Sequence, residues 1–364
     1  MGIALVCLVL AGMTVSANPS RGTGVRLKSD DLTVMLLGDF WGAFSYKDAE
    51  DSDAVGEFSC RRALVGLKMF VPSAHIAVYG SLVGKSGKNV QVEDVFVVYR
   101  CQRLKRYNFA VIFGQAKVPF SFFALSSART IYFTGRPPAL SYFQDRVLIA
   151  SSRDVGLTLR AEYRNFRIQV GCYNGGGRSC TNSDNKFLTV ARFEFAYPSL
   201  PRGYVENDLT YYHKLCFTLG IAGAYNAAAF DFNSDNIPDD SKGVTTDAVV
   251  RWSSFSFMAG LIYATLENGR AYGTDFAPRY TYGYVVQFGW LLRSYVTVAA
   301  RYSYYDPNVH YLHDWCHQEA LVLNYHFAGL ARTLKIEVSR TTTKAVPESD
   351  IASWGFVVLV QILL

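Results

Sequence analysis

The sequence predicts an all-β fold, a transmembrane antiparallel barrel of about sixteen strands, because segments of about ten residues alternate apolar and polar side chains. Leu157 and Leu159, for example, alternate with Thr158 and Arg160. A soluble sandwich would bury the apolar face in a core and turn the charged face to outside water. A membrane barrel turns the apolar face to lipid and the charged face to a water-filled lumen. The lengths of the connections decide between the two folds.

The alternation defines the strands, and no stretch of comparable strength has a helical period. We predict strands at 32–47, 55–71, 73–84, 90–101, 106–118, 153–163, 166–174, 186–197, 212–226, 244–254, 255–266, 279–292, 294–305, 318–327, 331–340 and 352–364.

The connections between these strands alternate in length. Tight turns are predicted at Arg164-Asn165, near Ser253-Ser254 and around 328–330. Long polar links are predicted at 48–54, 175–185, 198–211, 227–243, 267–278, 306–317 and 341–351. Short turns at one end and long loops at the other are typical of a bacterial outer-membrane barrel, and not of a sandwich.

The composition agrees with a barrel. The chain has 24 Tyr and 25 Phe among 364 residues, enough for aromatic girdles at both membrane interfaces. No uncharged apolar run reaches the length of a membrane-spanning helix. Residues 2–13 are apolar and a small-x-small pattern ends at Ala17, so we predict a signal peptide at 1–17 and the barrel at 18–364.

Export implies an oxidising compartment, where cysteines can pair. Cys172 and Cys180 flank a loop-like segment. They form either a loop disulfide or part of a set of six independent thiols in the mature chain.

The net charge of +6 suits nucleic acid, anionic lipid or anionic solutes as partners. The densest basic cluster, Arg103, Lys105 and Arg106, lies in a predicted turn, and the chain has no basic run of nucleic-acid type. An exported aromatic barrel therefore favours anionic solutes, and we expect no nucleic-acid partner.

The connection 119–152 differs from the others because it is long and rich in Phe and Tyr. Long loops in compact folds usually serve a function. We predict that it folds into the lumen, packs on the wall and narrows the pore, with Arg129, Arg136 and Arg146 near the gap. An ordinary extracellular flap is the alternative.

Motifs at this loop resemble those of the phosphate-selective porin O/P family. They are GQAKVPFS at 114–121, LSSAR at 125–129 and RDVGL at 153–157, with an acidic strand VEDVFVVY at 92–99 and YNG at 173–175. The resemblance is specific over about residues 60–180. The chain departs from the family at Ser152, where Gly is usual, in its six mature cysteines and at its last residue, Leu364.

The resemblance implies a sixteen-stranded outer-membrane barrel, commonly a homotrimer, with a basic lumen. We therefore expect a passive anion-selective porin in outer-membrane lipid, passing phosphate or phosphate-bearing solutes. A general or sugar-type porin, or a surface barrel acting as adhesin or antigen, is the alternative. The sequence contains no nucleophile elbow, HExxH motif, P-loop or dinucleotide fingerprint, so we expect no enzyme.

Alternation along the strands also turns cations toward the lumen. Lys117 at mid-strand would cost about 2–4 kcal/mol in lipid, so it should face the pore. Uninterrupted alternation over 111–118 puts Gln115 and Phe113 on the same face as Lys117, and Ile112, Gly114, Ala116 and Val118 on the other face. Basic rings select anions in channels. The predicted inward cations are Lys117, Arg153, Arg160, Arg167, Arg192, Arg251, Arg301 and Lys335. The alternative is that Glu162, Glu194, Asp247 and Glu337 pair with them.

Lys117 and Arg153 stand at the two roots of the loop, where a permeating anion would lose water. We therefore expect both to carry anion affinity. Arg153 has a rival structural role, because Asp154 follows it.

Two segments carry possible metal ligands, and no other cofactor is expected. Asp231, Asn233, Asp235 and Asp239 resemble a calcium loop in their spacing, with a solvated acidic loop within 231–240 as the alternative. His310, His313, Cys316 and His317 offer ligands for zinc or copper, with an incidental cluster as the alternative.

Overall fold

Antiparallel strands form a closed barrel in the computed structural model of the chain. The structure describes residues 14–17, 25–29, 31–50, 52–101, 107–148, 152–182, 185–201, 203–230, 239–266, 279–310, 314–345 and 349–363. The strands are β1 Thr14–Ala17, β2 Val25–Lys28, β3 Thr33–Ala49, β4 Ser52–Val71, β5 Ile76–Lys85, β6 Lys88–Cys101, β7 Tyr107–Lys117, β8 Arg153–Tyr163, β9 Phe166–Tyr173, β10 Leu188–Tyr197, β11 Tyr212–Phe230, β12 Asp239–Ser253, β13 Phe255–Leu266, β14 Arg279–Arg293, β15 Val296–Asp306, β16 Cys316–Leu330, β17 Arg332–Ala345 and β18 Ser349–Leu363.

Closure comes from β18, which pairs with β3 from Ser353↔Ala49 to Leu363↔Asp39. The first part of β3 pairs instead with the short strand β2, which in turn pairs with β1. The sixteen strands β3–β18 make the wall, which confirms the predicted fold and strand number. The predicted signal peptide lies outside the described residues except for β1. No helix in the described part of the chain is long and apolar enough to cross a membrane.

The two faces of the wall differ as the alternation predicts. Leu157 and Leu159 are 41% and 52% exposed on the outer face, whereas Thr158 between them is 3% exposed. Aromatic pairs such as Tyr107–Tyr163 and Phe255–Trp290 lie near the strand ends. An apolar outer face with aromatic residues at its edge suits lipid contact.

Short turns lie at one end of the barrel, but the connections at the opposite end are not all long. β3 is joined to β4 by residues 50–51 and β5 to β6 by residues 86–87. Residues 341–345 and 349–351 belong to β17 and β18, so the long links predicted at 48–54 and 341–351 are wrong. The connections at 164–165, 254 and 331 are short. Arg164 and Ser253 adopt positive φ values of 52° and 57° in these turns. Segment 198–211 lies at the same end but is long, so the prediction that long links share the opposite end is wrong for this segment. Its residues fold into the barrel instead of staying outside.

The connection between β7 and β8 runs inside the barrel. It contains the helices Phe122–Leu125 and Pro138–Arg146 and a 3₁₀ turn at Ala128–Thr130. Its phenylalanine side chains are buried, Phe133 and Phe143 being 0% exposed. They pack on inward residues of β10–β16: Val190, Ala222, Ala224, Val249, Met258, Ile262, Val285, Ala299 and Val322. The loop fills this half of the barrel.

The alternation within β7 breaks at Gly114. Its φ is +119°, a conformation that favours glycine. Before it, Ile112 lines the interior and Phe113 is 65% exposed outside; after it, Ala116 and Lys117 line the interior. The sequence placed Lys117 in the lumen correctly but assigned Ile112 and Phe113 to the wrong faces, because uninterrupted alternation was assumed.

Replacing Gly114 by Ala should destabilise the barrel. The new Cβ would lie 2.9 Å from the Cα of Phe96 and still closer to the carbonyl oxygen of Val95. Alanine at positive φ also adds backbone strain, so we expect a loss of more than about 1 kcal/mol. The folded fraction on a heat-modifiability gel measures it, with Gly80→Ala, where a Cβ meets nothing within 4 Å, as the matched control. Equal unfolding temperatures for both variants would contradict this account.

Candidate functional site: the lumen and its basic lining

Wall side chains fasten the inward loop by its backbone. Lys335 Nζ donates to the Ile131 carbonyl at 2.7 Å, and Arg301 donates to the Gly135 carbonyl at 2.9 Å. Glu337 accepts from the Thr134 N–H at 2.6 Å. Charged groups buried inside a protein need such partners. These wall charges therefore hold the loop in place.

A second anchor of the loop is the buried side chain of Arg192. It is 1% exposed and pairs with Asp247 at 2.7 Å and with Glu194 at 2.9 Å. Arg192 also donates to the Phe120 carbonyl at 3.0 Å, and Asp247 accepts from the Phe122 N–H at 3.0 Å. This cluster fixes the start of the loop to β10 and β12.

Asp247→Ala should strongly destabilise the protein. It removes one partner of a buried ion pair and leaves Arg192 with Glu194 alone, a type of change that costs about 3–5 kcal/mol. Thr246→Ala, at the exposed neighbouring position, is the control. Thermal unfolding in detergent should separate the two variants. Equal unfolding temperatures for the two variants would show that this cluster does not stabilise the barrel.

An open cavity of about 580 Å³ remains beside the loop, mainly against β3–β8. Nine lysines or arginines and two acidic residues line it. The cations are Arg62, Lys85, Arg100, Lys117, Arg129, Arg136, Arg153, Arg160 and Arg178, and the acids are Glu93 and Asp94. The excess of cations gives the cavity a positive field, which raises the local concentration of anions.

Two bulges shape one side of this lining. The β3–β4 register shifts after Trp41↔Arg62, and the β5–β6 register shifts after Ser81↔Asp94. The second shift leaves Glu93 opposite no partner, so Glu93 and Asp94 both reach the interior. These acids bind arginines rather than solvent.

A continuous series of ion pairs runs along the inner face of the wall, from β8 to β3. Arg153 contacts Asp94 at 2.8 Å and Glu93 at 3.0 Å. Arg62 bonds to Glu93 and, at 2.9 Å, to Asp39. Both arginines are held by carboxylates, so the structure supports the rival structural role of Arg153.

Backbone carbonyls hold two further cations. Lys117 Nζ donates to the carbonyls of Leu125 at 2.9 Å and Ser126 at 2.6 Å. Arg136 donates to the carbonyls of Phe123 and Ser126. Burial lowers the pKa of Arg136 from its usual value. Both side chains thus close the C-terminal end of the helix Phe122–Leu125 while lining the cavity.

The remaining lining cations have few partners. Arg160 donates to the Gln169 side chain at 3.2 Å, and Arg129 contacts Asp39 at 3.3 Å. Four lining cations form no ion pair within the described part of the chain: Lys85, Arg100, Arg160 and Arg178. These side chains are the best placed to meet a permeating anion.

Segment 198–211 supports the loop from the turn end. The Tyr204 hydroxyl donates to Glu194 at 2.6 Å, and burial raises the pKa of Tyr204 to about 12. The Tyr204 carbonyl accepts from the Ser127 N–H at 3.3 Å. Glu206 pairs with Arg136 at 3.4 Å. Segment 198–211 thus holds the middle of the loop from the turn end of the barrel.

Of the predicted site residues, Lys117, Arg129, Arg136, Arg153 and Arg160 line the cavity. The prediction that four others line the pore is corrected by the structure, because the loop and segment 198–211 cover them: Arg167, Arg192, Arg251 and Arg301. Arg167, Arg192 and Arg301 pair with Glu162, Glu194, Asp247 or Glu337, the alternative that the sequence left open. The side chain of Arg146 lies outside the described residues.

Sequence reasoning missed four lining cations: Arg62, Lys85, Arg100 and Arg178. Arg62 follows the bulge at Arg61, so simple alternation misplaces it. Arg178 lies in a glycine-rich loop that folds over the cavity, where Ser179 donates its N–H to Gln115 at 2.6 Å. Lys85 and Arg100 follow the inward alternation of Ser81 and Val98, a signal that could have found them.

The predicted metal ligands do not form a site in the described residues. Residues 231–238 lie outside them, as does the side chain of Asp239, so the calcium loop stays a prediction. Cys316 is buried, whereas His317 stacks on Tyr302 at 5.8 Å between ring centres. His313 is not among the described residues, within which no three His, Cys, Asp or Glu side chains converge. Cys172 and Cys180 are free thiols here.

Comparison with known proteins agrees with this geometry. Residues 38–214 match the family model of phosphate-selective porin O and P, which confirms the resemblance predicted from the motifs. Comparison with curated protein sequences gave no significant match.

Solved structures of outer-membrane proteins share the fold. An anion-selective porin from Comamonas acidovorans superposes with a TM-score of 0.66 at 12% identity, covering 92% of this chain and 100% of that chain. OmpT of Vibrio cholerae in its trimer form superposes with a TM-score of 0.62 at 14% identity, covering 92% of this chain and 100% of that chain. The outer membrane channel DcaP of Acinetobacter baumannii superposes with a TM-score of 0.55 at 12% identity, covering 93% of this chain and 99% of that chain.

Proposed function

We propose that this chain, a porin of the phosphate-selective O and P family over residues 38–214, is a passive anion-selective channel of the bacterial outer membrane. The observation that carries the proposal is the lining of the cavity, with nine cations against two acidic residues. Both acids are engaged by Arg62 and Arg153. The net field on a solute is therefore positive.

Phosphate or phosphate-bearing solutes are the proposed cargo. Arginine presents several donors in a planar fork that matches the oxygens of phosphate. Arg100, Arg160 and Arg178 lie along the cavity without carboxylate partners among the described residues. A family of phosphate-selective porins supports the same assignment. We further propose a homotrimer, on the analogy of the trimer form of OmpT, and no enzymatic activity.

Reversal potentials in planar bilayers test the proposal. A potassium chloride gradient across the purified protein should give a potential of the sign set by chloride, and added phosphate should reduce the chloride current. A potential near zero would favour a general diffusion porin. Cation selectivity, or the lack of any channel, would refute the anion channel and favour a surface role.

A further inference from the structure

A patch of the lumen lining is apolar. Six inward residues of β3–β7 contribute to the cavity wall there: Leu37, Leu64, Tyr79, Phe96, Val98 and Ile112. Tyr79 and Phe96 stack with ring centres 4.6 Å apart. Ala77, Val98, Ile112 and Ala116 form a small cluster of their own, apart from the loop. A hydrated inorganic ion gains nothing from such a surface, because only apolar solute groups gain free energy by leaving water there.

Two arginines stand directly beside this apolar surface. Ala110 pairs laterally with Arg100 on β6 and with Arg160 on β8. The two arginines are thus two strand spacings apart, about 10 Å, with a small side chain between them. Arg100, Ala110 and Arg160 all line the cavity, and Arg160 also donates to Gln169 on β9 at 3.2 Å. Both guanidinium groups are therefore within reach of one anionic group in the space over Ala110.

The next inward row continues from Ala110 toward the loop. It contains Val98 and Ile112, which pair with each other, and Thr158, which pairs with Ile112. This row lies two residues along the strands from the arginines, about 7 Å. Phe96 follows in the row beyond it. An anionic group and an apolar group on one small molecule can therefore reach both surfaces together.

From this juxtaposition we infer that the channel selects organic anions with an apolar or aromatic body over inorganic phosphate. The anionic group binds Arg100 and Arg160 across Ala110, and the body lies on Val98, Ile112 and Phe96. The cavity of about 580 Å³ accommodates such a molecule. This inference rests on the proposed anion channel and names the class of its solutes.

The test compares phenyl phosphate with methyl phosphate as blockers of the chloride current, at a pH where both are dianions. The two probes carry the same charged group, so the apolar body is the only difference. Burial of the ring should lower the half-blocking concentration of phenyl phosphate about tenfold. Equal block by the two probes in the unmodified protein would overturn the inference, while anion-selective reversal potentials would leave the proposed function standing.

Variants locate the effect on this wall. Val98→Ser with Ile112→Ser should abolish the advantage of phenyl phosphate, whereas the outward pair Val97→Ser with Val111→Ser should keep it. If the inward double variant fails to fold, Ala110→Leu fills the space over Ala110 and should weaken the block by phenyl phosphate. An advantage that survives the inward change in a folded channel would overturn the assignment of the site.

Discussion

Deleting residues 125–145 should raise the single-channel conductance several-fold. The deletion removes most of the material that fills the barrel beside β10–β16, including Phe133 and Phe143. Pore conductance grows with the open cross-section, and the barrel wall keeps its own hydrogen-bonded ladder. Planar-bilayer recording of single channels measures the change.

A folded control is needed because the loop carries wall contacts. Lys335→Met removes one anchor of the loop without deleting any of it. We expect a folded barrel with noisier current and a conductance between that of the unmodified chain and that of the deletion. An unchanged conductance after the deletion would place the loop outside the conducting path.

Reversing two lining charges should reduce or invert the ion selectivity. Arg100→Glu with Arg160→Glu changes the cavity by four charge units at side chains that form no ion pair among the described residues. A fixed charge acts strongly where a permeating ion has lost part of its water. The chloride-over-potassium permeability ratio, obtained from the reversal potential, should fall several-fold.

Arg293→Glu is the matched control for this change. Arg293 is an exposed arginine at the turn end of β14, with its guanidinium on the Tyr295 hydroxyl at 3.1 Å. Its reversal should leave the selectivity near that of the unmodified chain. If the double variant kept the original reversal potential, the lining of this cavity would not set the selectivity.

The strands could be predicted because a two-residue period holds over most of their length. β8 and β13 were predicted with their observed bounds, at 153–163 and 255–266. In β8, a shift by one residue would turn Arg160 and Glu162 to lipid and Leu157 and Leu159 to the lumen. The inward course of the loop also followed from its composition, because Phe and Tyr in such number need burial.

The fate of the inward charges could not be predicted in the same way. Alternation shows that Arg192 faces the interior, but not that Phe120 of a distant segment lies on it. A sequence also hides interruptions of the period. Gly114, with its φ of +119°, and the extra residue at Arg61 each move a side chain to the other face. Long-range contacts and local backbone geometry decide these positions.

The loop fills one half of the cylinder, so the molecule has a solid half and an open half. On the solid side, the inner faces of β10–β17 pack against the loop as in a protein core, and charged side chains such as Arg192 and Lys335 are buried within that core. Substitutions there should be tolerated poorly, because they lower the stability of the folded barrel. On the open side, along β3–β8, side chains meet water and solute. Evolution, or a designer, can therefore change the traffic through this barrel on one flank while the other flank keeps its form.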